Sequence, residues 1–271
     1  MALGRIGLEI GEALSGVIKG AGDVVGTAGE VVRKTLVGTI RGMKDVGSEV
    51  GGLAHDAVAG AVHAATDVGI GVAKAAKGTV IGVIRAVGEV TTVTAGILSD
   101  TVQAAIKGTA SIGGDVSKAA RGAAEGAVSS TKEAGVSLED GVRGVAEGAV
   151  KGAQETGSDL ATIAQNTICG AIVGTNEIGD DIMVTIKLTT NGLVSGAGEI
   201  GDDVAAVARS TVEGAIEGAK EVGASAEEAA SAAANSAVEA AREISADVAK
   251  AVTKAVSGTI SGVKVSLNNK K

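Results

Sequence analysis

The stretch Asp202–Gly223, DDVAAVARSTVEGAIEGAKEVG, is the unit on which the chain is built. Laid along the 271 residues in steps of 22 from Gly4, it gives twelve units: 4–25, 26–47, 48–69, 70–91, 92–113, 114–135, 136–157, 158–179, 180–201, 202–223, 224–245 and 246–267. No insertion or deletion is needed. A frame this strict predicts one quasi-one-dimensional array over 4–267, with a short lead, 1–3, and a polar tail, 268–271.

The fifteenth position of the unit is β-branched throughout: Ile18, Ile40, Val62, Ile84, Ile106, Val128, Val150, Ile172, Val194, Ile216, Val238, Ile260. Apolar residues precede it by four (Leu14, Leu36, Val58, Val80, Val102) and recur at the third position (Val50, Val72, Val116, Leu138, Leu160). Spacings of three and four are helical, whereas a strand alternates by two. Two elevens per unit make a stripe that runs nearly straight or drifts right-handed along a helix. The β-branched content and the 43 glycines raise a β-solenoid as competitor, but ASAEEAASAAANSAVEAAREIS, residues 224–245, is strongly helix-forming in the same frame. The fold class expected is all-α: a long amphipathic helix or helices, with right-handed coiled-coil or helical-assembly geometry.

Opposite the stripe runs a column of small residues at position 13: Gly16, Gly38, Gly60, Gly82, Ala104, Gly126, Gly148, Gly170, Gly192, Gly214, Ser236, Gly258. Each interior glycine costs a helix about 1 kcal/mol relative to alanine. One explanation is close backbone approach by another helix. A second is a helix meant to be weak in water and to form only on a surface or partner. A third is duplication of one ancestral glycine without selection.

Unit junctions read EIGDDI, EVGSEV, ETGSDL and EIGDDV, which resemble a helix C-cap followed by a new N-cap. Three features favour a continuous or gently hinged helix over true breaks. A two-residue connection is tight, an acidic residue just before the break has the wrong sign for a helix C-terminus, and the apolar phase passes through unchanged. Fully continuous, the helix would reach about 400 Å. IMVTIKLTTNGL, 182–193, is the stretch least suited to helix, and VSLNNKK, 265–271, is expected to fray.

Phe, Tyr, Trp and Pro are all absent, so a thick aromatic core is excluded and no proline interrupts a helix. With 24 basic and 32 acidic residues interspersed, net charge −8, nucleic acid is not an expected partner. The N-terminus has no secretory pattern and the longest uncharged window, Leu160–Asn176, is short for a bilayer span, which leaves the cytoplasm as the default expectation. Cys169 is the single cysteine and permits no internal disulfide. His55 and His63, eight apart, lack the i, i+4 spacing of a metal pair, and Asp180–Asp181 and Asp202–Asp203 recur at junctions as capping residues would.

Position 20 is acidic in ten units, among them Glu89, Glu133, Glu155, Glu177, Glu199 and Glu221, and position 8 is often basic: Arg33, Lys77, Arg121, Arg143, Lys187, Arg209. Basic residues bordering an apolar stripe suit an interfacial helix; the same layout suits salt bridges between neighbouring helices, and a solvated face with i, i+4 pairs suits it too. Glycine runs such as GVAEGAVKG lack the Lys-Ser/Thr ending of a phosphate loop, and no nucleophile, base and orienter stand together. No enzyme activity, cofactor, metal site or small-molecule substrate is expected.

STVEGAIEGAKEVG and AAKGTVIGV resemble the eleven-residue repeats of synucleins and of the perilipin repeat region, and more loosely group 3 late-embryogenesis-abundant proteins. The resemblance implies amphipathic helices of 11/3 period, on phospholipid or lipid-droplet surfaces in the first two families. The acidic balance and the missing lysine-rich motif depart from synucleins. Two functions are therefore expected. The first is a non-enzymatic structural protein that self-assembles, its partner itself, through the Val/Ile stripe and the Gly/Ala/Ser face into a coiled coil or filament. The alternative is an amphipathic coat on a lipid-droplet or membrane surface. The strict frame fits assembly better, because one register error would misalign every contact downstream.

Overall fold

Glycine at the end of a unit and Asp or Ser two residues later are what break the chain into helices. In the computed structural model, which describes residues 5–18, 23–41, 46–67 and 71–268, Gly113, Gly135, Gly157, Gly179, Gly201 and Gly223 all adopt left-handed φ of 64–74°. The amide after each glycine bonds back to a carbonyl five residues earlier, Val136 to Thr131 and Ala224 to Ala219 for example, closing the helix end. Asp115, Ser137, Asp159, Asp181, Asp203 and Ser225 then accept amide bonds from the first turn of the next helix. Both sets of orphan backbone groups are satisfied within the turn, so the helix can stop and restart in a few residues.

The helices are α1 Arg5–Ile18, α2 Val24–Ile40, α3 Val46–Asp67, α4 Val72–Gly88, α5 Ala95–Ser111, α6 Val116–Ala134, α7 Leu138–Thr156, α8 Leu160–Glu177, α9 Ile182–Ile200, α10 Val204–Glu221, α11 Ala226–Ile244 and α12 Ala246–Ala255. The protein is thus all-α but not one long helix. Each unit is a separate rod, about 29 Å long for 19 residues. The continuous helix expected from the junctions is corrected. The apolar phase passes through the breaks only because every unit shares one frame. IMVTIKLTTNGL is helical within α9, where burial of Ile186, Thr189, Thr190 and Leu193 overrides local propensity.

Over most of the stack helices two apart in sequence pack most extensively, α4 on α2 and α6, α5 on α3 and α7, α8 on α6 and α10, while successive helices meet less; at the C-terminal end α11 packs on α10 as extensively as on α9. The result is two layers, odd helices in one and even helices in the other, with the core between and within them. Of the β-branched stripe, Ile40, Val62, Ile84, Ile106, Val128, Val150, Ile172, Val194, Ile216, Val238 and Ile260 are 0–7% exposed; Ile18's side chain lies outside the described residues. The stripe expected to face lipid or a second copy is therefore buried inside its own chain.

The glycine column brings backbones together. A Cβ on Gly126 would lie 2.7 Å from the Lys77 carbonyl oxygen, and one on Gly82 2.5 Å from that of Gly29. At Gly60, Gly148, Gly170 and Gly214 the carbonyls of Gly7, Ser99, Arg121 and Gln165 stand closer still. Gly192 instead meets the Ala146 methyl at 2.8 Å. Elsewhere in the column, Gly38 has nothing within 4 Å and Gly258 sits in a hairpin with φ 89° and open space; Gly16 lies outside the residues whose side-chain surroundings are described.

The last unit leaves the helix. After α12, Gly258–Ile260 (β1) and Val263–Val265 (β2) form an antiparallel hairpin in which β2 rests on α11. Ser231 and Asn235 of α11 bond the backbone of Ser266 and Asn268. The described part of the segment expected to fray, Val265–Asn268, is tied to the stack, and Lys270 and Lys271 lie outside the described residues.

Candidate functional site

The turn between α4 and α5 departs from the glycine-and-cap pattern. The frame places Thr91 where the units ending at Gly113, Gly135, Gly157, Gly179, Gly201 and Gly223 close in glycine, and Val93 where Asp115, Ser137, Asp159, Asp181, Asp203 and Ser225 cap. Val93 cannot cap, so its side chain turns inward, 5% exposed, and the cap passes to Thr94, whose hydroxyl accepts from the Ile97 amide. The turn lengthens to 89–94. Beside it opens a cleft of about 690 Å³, lined by Glu30 and Arg33 of α2, Arg85, Gly88 and Glu89 at the end of α4, Thr91–Val93, and Ser130, Glu133 and Ala134 of α6.

The cleft coincides with a step in the helix stack. The carbonyls of Val25 and Gly29 in α2 face Gly78 and Gly82 of α4, a separation of 53 residues. The carbonyls of Ala73 and Lys77 in α4 face Gly122 and Gly126 of α6, a separation of 49. Both pairs advance together along the chain, so the helices are parallel, and α4 is packed one turn differently against its two neighbours.

The walls are charged and mutually neutralised. Arg33 pairs with Glu30, at 2.7 Å, and with Glu89; Arg85 holds both carboxylate oxygens of Glu133 at 2.9–3.1 Å. Arg33, then Lys34, hold the exposed Glu30 carboxyl down at about 2. Ser130, 3% exposed, donates its hydroxyl to the Gly126 carbonyl and has no base beside it. This arrangement can hold a polar surface in shape; it contains no activated nucleophile.

The pairing extends along the even layer. Lys77 bridges Glu125 of α6 at 2.8 Å and Glu177 of α8 at 2.6 Å, and Arg121 of α6 reaches Glu217 at 3.1 Å and Glu221, both of α10. Lys77 therefore spans α6 entirely, which is feasible because glycine contacts draw α4, α6 and α8 together. Burial pushes the Glu125 carboxyl up, against the pull of Lys77. In the odd layer Lys107 and Gln103 of α5 bond Glu155 of α7. The expected basic and acidic columns thus meet across helices of one chain. Arg209 pairs within its own helix, with Glu213, and Arg143 lines a second cleft between α7 and α9.

The remaining polar candidates are structural. Asp181 and Asp203 cap α9 and α10, while Asp180 and Asp202 each accept the following amide. His55 lies 3.3 Å from Asp56, and among the described residues no group of three or more potential ligands could hold a metal. Cys169 is 1% exposed, and burial pushes its thiol up to about 12 despite the nearby Arg121 guanidinium. No described helix is long and apolar enough to cross a membrane. The sequence columns contained Arg33, Glu89 and Glu133, but Glu30, Arg85, Thr91, Thr92 and Val93 belonged to none of them. No protein-family model and no curated protein matches the chain.

Proposed function

We propose that the chain is a non-enzymatic structural protein that works as a pre-packed stack of helices, a stiff two-layer scaffold displaying charged faces. The observation that carries this reading is that both faces of the unit, the Val/Ile stripe and the glycine column, are consumed within one chain. A face buried at 0–7% exposure is not free to lie in a headgroup layer or to recruit a second copy; lipid coating would require the layers to open. Burial of small side chains at native packing density then replaces the coiled coil as the source of stability.

The test is circular dichroism of the purified chain across concentration, with and without liposomes, combined with sedimentation. Full helix in dilute buffer, unchanged by lipid and carried by a monomer, supports the scaffold. Helix that appears only with lipid sinks it in favour of the coat; helix that grows with concentration sinks it in favour of assembly through the stripe.

A further inference from the structure

We propose that same-layer helices of this chain have two mutually exclusive packing registers, one helical turn apart, and that the ion pairs bordering the α2–α4 and α4–α6 glycine contacts select between them there. Both registers are present in the one molecule. Toward the N-terminus, carbonyl and glycine are 53 residues apart, in Gly7–Gly60, Gly29–Gly82 and His55–Gly108; from α4–α6 onward they are 49 apart, in Lys77–Gly126, Ser99–Gly148, Arg121–Gly170 and Gln165–Gly214. The side chains beside the contacts move in step. Val32 Cβ stands over Gly82, 50 residues on, whereas Val128 Cβ stands over Gly174, 46 residues on.

A slide by a full turn is permitted because the small residues recur every fourth position: Gly78, Gly82 and Ala86 in α4, Gly122, Gly126 and Ser130 in α6. A partial slide would drive a carbonyl into a side chain, so the choice is discrete. One turn is about 6 Å for four residues, a ratchet step of the kind packed helices make.

Charge then decides. Arg33 meets Glu89 in the register α2–α4 adopts; one turn back it would face Arg85. Lys77 meets Glu125 and Arg85 meets Glu133 in the α4–α6 register; one turn on, Lys77 would face Ser129 and Arg85 would reach past the end of α6. The α2–α4 and α4–α6 interfaces thus each carry a favourable pattern for their own register and lose it, or meet repulsion, in the other. The cleft lies where the two registers adjoin.

The test places spin labels at Lys34→Cys and Lys74→Cys, both exposed, in a Cys169→Ala background, and reads the α2–α4 distance by double electron–electron resonance. The triple variant Arg85→Glu, Glu89→Gln, Glu133→Arg keeps the α4–α6 pair with reversed polarity and puts a carboxylate where Arg33 arrives after the slide. The label distance is expected to shorten by about 5 Å, the axial step less its oblique component, with helix content unchanged. A folded triple variant that retains the parent distance overturns the proposal. Should the triple variant not fold, Glu89→Gln alone decides: a second, shorter distance population supports register selection, and a single unshifted population overturns it.

Discussion

Adding one methyl group at Gly126 tests what the glycine column is for. A Cβ there would lie 2.7 Å from the Lys77 carbonyl oxygen, 3.2 Å from its Cα and 3.4 Å from its carbonyl carbon. Carbon–oxygen contacts of this kind settle no closer than about 3.3 Å, so α6 must retreat from α4 by about 0.6 Å. A gap of that size forfeits roughly a quarter to a half of the dispersion attraction along the contact, and overpacking of this sort costs about 1–3 kcal/mol. Against it stands a gain of about 1 kcal/mol from replacing an interior helical glycine. Gly126→Ala is therefore expected to be net destabilising, by up to about 2 kcal/mol. Gly38→Ala, where nothing lies within 4 Å, keeps only the gain and is expected to be stabilising by about 0.5–1 kcal/mol. Urea unfolding followed by circular dichroism gives the two signs. Native-state hydrogen exchange in α4 and α6 localises them, since a repeat array need not unfold in one step. If both substitutions stabilise equally, close approach is not the reason for the glycines.

Three further outcomes follow from the turns and the core. Gly157→Ala meets no neighbour within 4 Å but must hold φ near 64°, so it is expected to cost about 1–2 kcal/mol through conformation alone, measured by the same unfolding curves. Cys169 is expected to resist alkylation at pH 8 in the native protein and to react fully in denaturant, since its thiol is buried and pushed up to about 12; rapid native labelling would contradict the packing of α8. Lys118, with smaller help from Ser117, holds the Asp115 carboxyl at about 2, below its ordinary 3.8. A depressed carboxyl stabilises the fold above its unfolded value and loses that contribution as pH falls through the folded one. The stability lost in Asp115→Ala, about 1 kcal/mol for a cap and less after solvent screening, should hold above pH 4 and shrink toward pH 2. A difference that does not change with pH would show the carboxylate charge to be irrelevant.

The frame of the unit, its helical period and its two columns, apolar and glycine, were legible in the chain, because each depends on residues within one or two turns of one another. The 22-residue frame singled out Ile84, Val128 and Ile172 as a face for lipid or a second copy, whereas they are buried in the chain's own core, and it marked Gly60, Gly126 and Gly170 as close-packing positions without any knowledge of what they approach. What local reading got wrong was the junction. Glu89, Glu133, Glu155, Glu177 and Glu221 sit at helix C-termini, where their own helix dipole disfavours them, and this argued against a break. The fold resolves the conflict across space, since Arg33, Arg85, Lys107, Lys77 and Arg121 from neighbouring helices neutralise those same carboxylates.

The site was less legible than the fold. Nothing in EVTTVT, residues 89–94, says that α2, α4 and α6 converge there or that two registers adjoin. Sequence by itself determined the 22-residue frame, the helical period and the two faces that each segment carries, a Val/Ile stripe and a glycine edge. Only the tertiary structure decided that these edges pair within the chain, two units apart, and in which turn of register. A helix's period is set by bonds between residues three and four apart, whereas registry between parallel helices is set by carbonyl, glycine and ion-pair contacts between residues 48–56 apart that many small positions could satisfy almost equally well.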